Sequence, residues 1–318
     1  MTGTHWVDES GVLETPILIT NTLSVGTVRD AAVAWMVKHD APGPFWYPLV
    51  AETSDGRLND QKGLHVKAED AMRALDSATG GRIAEGNVGG GTGMLCNGFK
   101  GGTGTASRVL AREAGGFTLG VLVQCNYGSR SQLRIAGIPV GREIEGYEPC
   151  VAEKIDPPVL RADGSPAPAC DPSRPGGAVE EAEQGSIIVV VATDAPLTPD
   201  QLERIARRVS LGMGRLGSIH GNGSGDIFIA FSTANRGADA GNSVPSGSTR
   251  PPAAIQRVPS EAIDPLFTAT VEATEEAIVN AMLAAETMTG ADYWRYYAIP
   301  HPELQSVLRA HGRLVETR

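Results

Sequence analysis

Apolar residues fall along the chain in two rhythms, and each rhythm predicts a kind of element. Between Val28 and Asp40 they recur at helical spacing (Val28, Ala31, Ala32, Ala34, Trp35), which predicts a helix; AEDAMRALDSA at 68–78 predicts a second. VLETPILITNTLSV at 12–25 and FWYPLVAETSDG at 45–56 have strand character, the latter running into a turn. GGFTLGVLVQCNYG at 115–128 reads as a buried strand ending near Asn126, with QLRIAGIPVG at 132–141 as its hairpin partner. SIIVVVATDA at 186–195 is β-branched and apolar on both faces, the pattern of a strand inside a sheet, and DIFIAFSTAN at 226–235 predicts another central strand. Thr198, Pro199 and Gly217 supply the N-cap, first-turn proline and terminal glycine of a helix between them. A long helix over 259–289 and a short one over 302–311 close the chain. Strands and helices alternate without a strict βαβ rhythm, so two helix-covered sheets fit better than a doubly wound fold.

Two stretches break both rhythms. Prolines crowd between Pro149 and Pro175, around ADGSPAPACDPSRPGG, so 145–185 is expected to be an exposed, mobile loop that ends where Ser186 begins its strand. RGADAGNSVPSGSTRPPAA at 236–254 is expected to be a second flexible loop.

Composition narrows the class. At 318 residues, 41% hydrophobic and 20% charged, the chain can bury a real core and reads as one α/β domain over 1–318. Its formal net charge of −10 opposes phosphate-rich partners, so nucleic acid and anionic membranes are poor candidates. Cys96, Cys125, Cys150 and Cys170 show no C-x-x-C spacing and, in so long a chain, do not suggest a disulfide scaffold. The first twenty residues lack a basic start and a continuous apolar run, no apolar stretch is long enough to span a bilayer, and the default expectation is a cytoplasmic protein. Six scattered histidines give no metal-ligand spacing, and no cofactor is expected.

Chemistry concentrates at a few places, each with a plain reading beside a sharper one. Gly185-Ser186 can simply punctuate a loop. It can also be a self-cleavage site, where the serine hydroxyl attacks the preceding carbonyl, the acyl group moves from N to O, and hydrolysis frees Ser186 as a new N-terminus. Glycine suits that position because it tolerates strained angles and leaves the carbonyl open. The freed α-amine, with a pKa of about 7.7–8 in models, can act as base for its own hydroxyl. Ser224 and Asp226, in HGNGSGDIFIAF, either belong to a turn or put a hydroxyl and a carboxylate on one side of an extended stretch. Nearby His220 raises a Ser-His-Asp triad for consideration, although nothing in the sequence ties it to either serine. Asn126, ending a buried strand, is a turn residue or an oxyanion donor. The glycine-rich stretch 86–104 lacks phosphate-loop spacing. Gly212, Gly214 and Gly217 fit G-x-G-x-x-G but follow a helix instead of a strand, and so do not mark a dinucleotide site.

Five blocks together, GNVGGGTGM, FKGGTGTASR, NYGSR, GSIIVVVATDAPL and GNGSGDI, resemble the DmpA-like family of L-aminopeptidase/D-esterases, whose relatives include β-peptidyl aminopeptidases. The resemblance runs from Thr4 nearly to the C-terminus. It implies a four-layer α/β/β/α sandwich, like N-terminal nucleophile hydrolases in shape and shared with ornithine acetyltransferases. It also implies cleavage at Gly185-Ser186 into an α chain (1–185) and a β chain (186–318) that stay together, commonly as a homotetramer of such pairs. By matching blocks, Ser186 is the nucleophile, Ser224 and Asp226 support it, and Asn126 completes the oxyanion hole. Glu52, in VAETSDG, holds the substrate's amine, an ammonium that any exopeptidase must pair. The activity implied is release of N-terminal residues from small peptides, amides and esters, including D-alanine or β-amino acid derivatives. The alternatives are an acyltransferase of the same architecture, whose members usually carry threonine at the nucleophile, and an inactive, truncated homologue. Members of the family carry additional sequence ahead of the MTGTHWV block.

Overall fold

The computed structural model describes residues 1–43, 45–161, 164–171, 185–237 and 254–315. After a short helix α1 (Thr4–Ser10), the parallel pair β1 (Ile17–Asn21) and β2 (Leu49–Thr53) is joined by α2 (Val25–Lys38). α2 buries Val28, Ala31, Ala32 and Met36, one face of a helical period, and packs with Leu18 and Val50; α3 (Ala68–Asp76) adds Ala71 to the same cluster.

A short hairpin, β3 (Leu95–Cys96) with β4 (Phe99–Lys100), leads into the main sheet. That sheet holds β5 (Gly102–Val109), β6 (Thr118–Asn126), β8 (Ser186–Thr193) and β9 (Ile227–Ser232) in the order β5-β6-β8-β9. The β5–β6 and β6–β8 pairs are antiparallel, and β8–β9 is parallel. Ile187, Val189 and Val191 of β8 are 0%, 0% and 1% exposed, and each such side chain contributes about 1.5–3 kcal/mol by leaving water. They pack under α5 (Pro199–Arg215) and α6 (Asp264–Leu283).

Thr198 N-caps α5, its backbone N–H donating to Gln201 Oε1 at 3.2 Å, with Pro199 in the first turn. α6 lies so close to β5 that a Cβ on Gly104 would strike the Ala277 carbonyl; part of the glycine-rich stretch therefore serves helix–sheet packing. Between the sheets runs a buried polar seam, where Gln124 Nε2 on β6 donates to Thr53 Oγ1 on β2 at 2.6 Å. The layers are helices α2 and α3, the β1–β2 pair, the four-stranded sheet, and helices α5 and α6, the expected α/β/β/α sandwich.

Several expectations need correction. Residues 132–141 are not the partner of β6, whose two neighbours are β5 and β8; the segment forms a tight Ile135–Ile138 turn and the short helix α4 (Val140–Glu143). Its alternating apolar residues feed the core instead, with Leu133 and Val140 fully buried. β9 is an edge strand, and only Ile229 in it is buried. The long C-terminal helix is shorter than expected: α6 starts at Asp264 and gives way to β10 (Met288–Thr289).

The described part of the proline-rich stretch is not free. β7 (Cys150–Val151) pairs with β11 (Trp294–Tyr296), which also pairs with β10, ahead of α7 (His301–Ala310). Leu58, Val151, Trp294 and Tyr296 form a small core there. The four cysteines, not expected to pair, form two disulfides, Cys96–Cys125 and Cys150–Cys170. Residues 162–163 and 172–184 of the first expected loop and 238–253 of the second lie outside the described residues. Among the described residues no helix is long and apolar enough to cross a membrane.

Candidate active site

The antiparallel register of β6 and β8 sets Asn126, the last residue of one, opposite Ser186, the first residue of the other. On the far side of β8 the parallel partner approaches through a bridge between Gly185 and Ser224. Three strands thus bring Ser186, Asn126 and the 224–226 turn to one end of the sheet, which explains why residues so distant in sequence meet.

Gly185 has φ of +121°, a conformation in which only glycine is unstrained. A Cβ at Gly185 would also collide with the Asn126 carbonyl oxygen and lie 2.9 Å from Asn126 Nδ2. Both the backbone angle and the close approach therefore require glycine ahead of the serine. Ser186 Oγ accepts a hydrogen bond from the Gly225 N–H at 3.1 Å, an interaction that favours negative charge on that oxygen. The Ile187 N–H donates to Asp226 Oδ1 at 3.1 Å, and Ser224 Oγ donates to the same oxygen. Asp226 therefore bridges the supporting serine and the strand that begins at Ser186.

His220 Nδ1 lies 2.7 Å from Asp226 Oδ2. Ser224 reaches Asp226 directly, so no imidazole stands between hydroxyl and carboxylate, and a Ser-His-Asp triad is not the arrangement found.

Asn126 is 4% exposed and held at both ends: Oδ1 accepts from the Leu95 N–H at 2.8 Å, and Nδ2 donates to the Ser54 carbonyl at 3.0 Å. Leu95 is steadied in turn by Lys100, which sequence reasoning did not single out. Lys100 is 0% exposed, and its ammonium donates to the carbonyls of Gly91, Met94 and Gly101 at 3.2, 3.0 and 2.7 Å. Burial pushes its pKa down to about 7. The signal was a lysine set among apolar and glycine residues in CNGFKGGTG, with no acidic neighbour in the block.

A cavity of about 600 Å³ opens beside Asn126 and Gly185, with Ser54, Arg57, Arg130 and Glu148 also in its wall. Arg130 stacks its guanidinium 4.4 Å over the Phe99 ring and comes within 3.9 Å of Glu148. Glu52 stands apart from this group. It sits on β2, where its carboxylate accepts from the Thr22 hydroxyl, and the cavity wall is reached two residues later at Ser54. The structure thus brings together Gly185, Ser186, Asn126, Ser224 and Asp226; of these, Gly185 and Asn126 line the cavity, and Glu52, like Ser186, Ser224 and Asp226, does not. Among the described residues no three His, Cys, Asp or Glu side chains gather in a way that could hold a metal ion.

The chain is similar to several known proteins over nearly its whole length. The β-peptidyl aminopeptidase BapA of Sphingosinicella microcystinivorans is 47% identical over 319 residues, covering 100% of this chain and 75% of its own. A Burkholderia sp. β-aminopeptidase structure superposes with a TM-score of 0.81 at 44% identity, over 98% of this chain and 78% of its own. The L-aminopeptidase D-Ala-esterase/amidase of Ochrobactrum anthropi, described as a prototype for the serine aminopeptidases and a variant of the Ntn hydrolase fold, gives 0.80 at 43% identity, over 99% of this chain and 78% of its own. The model of peptidase family S58 matches residues 1–295. With that match and these relatives, the chain belongs to peptidase family S58.

Proposed function

We propose that the protein is a self-processing serine aminopeptidase that cuts its own Gly185–Ser186 bond and then uses Ser186 as nucleophile. The observation that carries this reading is the junction itself. A serine opening a buried strand is preceded by a glycine at φ +121°, pressed against Asn126, with its hydroxyl on the Gly225 N–H. In processing, Ser186 Oγ bonds to the Gly185 carbonyl carbon, the C–N bond breaks, and the nitrogen takes a proton to become the α-amine of Ser186. Water then hydrolyses the ester and leaves Gly185 as a carboxylate.

In turnover the same oxygen attacks the carbonyl of the substrate's first residue, which becomes the acyl group on Ser186. Asn126 Nδ2 is the oxyanion donor in this reading, a contribution of about 3–4 kcal/mol for one such donor, while the Gly225 N–H holds the nucleophile's own oxygen. The α-amine takes the hydroxyl proton, Ser224 and Asp226 assist, and the proton passes to the leaving amine. Hydrolysis of the acyl-enzyme completes the cycle.

The substrates we assign are small peptides, amides and esters with a free amino end, including β-amino acid and D-alanine derivatives, in keeping with the names of the relatives. Glu52 pairs the substrate ammonium in this reading. The acyltransferase alternative is not favoured, because these relatives are named as aminopeptidases and as an esterase/amidase. We further assign a homotetramer of α/β pairs. An oxidising compartment fits better than the cytoplasm, since both disulfides would be reduced in the latter.

The test is direct. Purified protein should give two bands on a denaturing gel, one beginning at Ser186, while Ser186→Ala should give one uncut band and no hydrolysis of aminoacyl p-nitroanilides. An active Ser186→Ala variant would refute the assignment.

A further inference from the structure

Beyond the residues given roles above stands His220, whose ring has no part in that scheme. It leaves the helical residues of α5 behind in a turn with φ of +50°, in the left-handed region that non-glycine residues seldom occupy. Its backbone N–H is held by Ser218 Oγ at 3.2 Å, and its ring meets Phe228 edge-on, with centroids 5.7 Å apart and planes at 72°. That posture delivers Nδ1 to 2.7 Å from Asp226 Oδ2, while Oδ1 of the same carboxylate faces Ser224 and the Ile187 N–H. The Asp226 side chain is 6% exposed and the imidazole 33%. The imidazole thus covers the outer oxygen of a nearly buried carboxylate. Oδ2 is buried and makes no hydrogen bond, so the imidazole stands against it as a close polar contact at 2.7 Å.

We propose that His220 is a positioning residue for the reaction: by standing against Oδ2 it fixes the plane of the Asp226 carboxylate, so that the opposite oxygen stays aimed at Ser224 and the start of β8. The two carboxylate oxygens are equivalent, so exchanging them changes nothing; a twist of the plane about the last bond, however, turns the accepting oxygen away from the Ser224 hydroxyl and the Ile187 N–H. The imidazole on one side and the two donors on the other resist that twist. The inference rests on the assignment of Ser224 and Asp226 as partners of Ser186.

The experiment compares His220→Ala and His220→Asn with the wild-type enzyme, all processed and purified as they form, on one aminoacyl p-nitroanilide. Asparagine tolerates the left-handed conformation better than most residues and restores a side-chain N–H near the position of Nδ1. His220→Ala is expected to lose about 10-fold to about 100-fold in kcat with KM changed less than about threefold, the signature of a misaligned catalytic group. His220→Asn is expected to recover kcat to within about threefold of wild type.

Wild-type kcat in the alanine variant overturns the proposal, as does an equal loss in both variants. A poorly folding alanine variant still leaves the asparagine variant to decide: a kcat well below wild type, in a protein with unchanged melting temperature, overturns it. Failure of the underlying assignment looks different. There, Ser186→Ala keeps activity or the wild-type chain neither cuts itself nor turns over substrate, whatever stands at position 220.

Discussion

Lys100 makes stability depend on pH in a direction that can be worked out beforehand. Its ammonium is fully buried and donates to the carbonyls of Gly91, Met94 and Gly101, and desolvation pushes its pKa from 10.5 in the open chain down to about 7 in the fold. Between those two values the unfolded chain holds a proton that the folded chain has released. Folding is therefore penalised fully below about pH 7, and the penalty fades as pH rises toward the open-chain value. The slope approaches about 1.4 kcal/mol per pH unit within that window, which amounts to about 2 kcal/mol between about pH 7 and about pH 9.

Lys100→Met keeps the length of the side chain and removes the charge. It also removes the bonds to the three carbonyls; because these favour the charged form, their pH-dependent part is already contained in the folded-state pKa, and the slope reports the Lys100 titration as a whole. The assay is guanidinium unfolding of the uncut Ser186→Ala chain with and without Lys100→Met, at several values from about pH 6 to about pH 9. The stability of the lysine form minus that of the methionine form should rise by about 2 kcal/mol from about pH 7 to about pH 9. A difference that stays flat would show that Lys100 keeps its ordinary affinity for protons in the fold and would refute the reasoning.

Other expectations follow from the site. Gly185→Ala should slow self-cleavage by about 100-fold or more on a time-resolved gel, because it adds a Cβ where Asn126 already stands and forces an L-residue to positive φ; cleavage at the wild-type rate would contradict this. Asn126→Ala should cut kcat about 100-fold to about 1000-fold with little change in KM, measured on the fraction already processed. Glu52→Gln should raise KM about 10-fold or more for substrates with a free amine and leave kcat nearly intact; if Glu148→Gln does so instead, the ammonium sits at the cavity wall and the assignment of Glu52 fails. Alkylation of the denatured, unreduced chain should label no cysteine, and prior reduction should expose Cys96, Cys125, Cys150 and Cys170.

The sequence was legible wherever local rules act alone. The Thr198 cap with Pro199, the helical spacing of Val28 to Ala32 and the doubly apolar run at 186–193 all name their elements, because caps, periods and β-branching operate within a few residues. What local rules do not specify is partnership. Residues 132–141 alternate as a hairpin strand would, but the place beside β6 goes to β5, whose glycines admit α6 to close contact. The cysteine pairs are separated by 29 and 20 residues, and their meeting depends on the register of strands that sequence spacing does not reveal. Asn126, Ser186, Ser224 and Asp226 were singled out from their blocks, and the fold gives the reason they lie together: three neighbouring strands begin or end at one end of the sheet. Lys100 was passed over although its setting among apolar and glycine residues was a signal, and Arg130 and Glu148 were not found, since a stacked arginine and a cavity-lining glutamate look in sequence like ordinary surface charges.

The same few atoms must serve two reactions in the proposed scheme, and the geometry around Gly185 suggests how. In the uncut chain Gly185 fills the space next to Asn126 Nδ2 and forms part of the wall of the cavity. In the proposed scheme the scissile carbonyl belongs to a residue of the cavity wall, so the first reaction is an intramolecular version of the second. Release of Gly185 empties that place and converts its former neighbour, the nitrogen of Ser186, from an amide with no basicity into an amine that is a competent base. Processing thus supplies both the vacancy for substrate and the base for turnover. Asn126 is already locked by Leu95 and Ser54 before cleavage, so the oxyanion donor needs no rearrangement between the two reactions. It follows that a substitution which loosens Asn126 should slow cleavage and turnover by similar factors, whereas one confined to substrate binding, such as Glu52→Gln, should leave cleavage untouched.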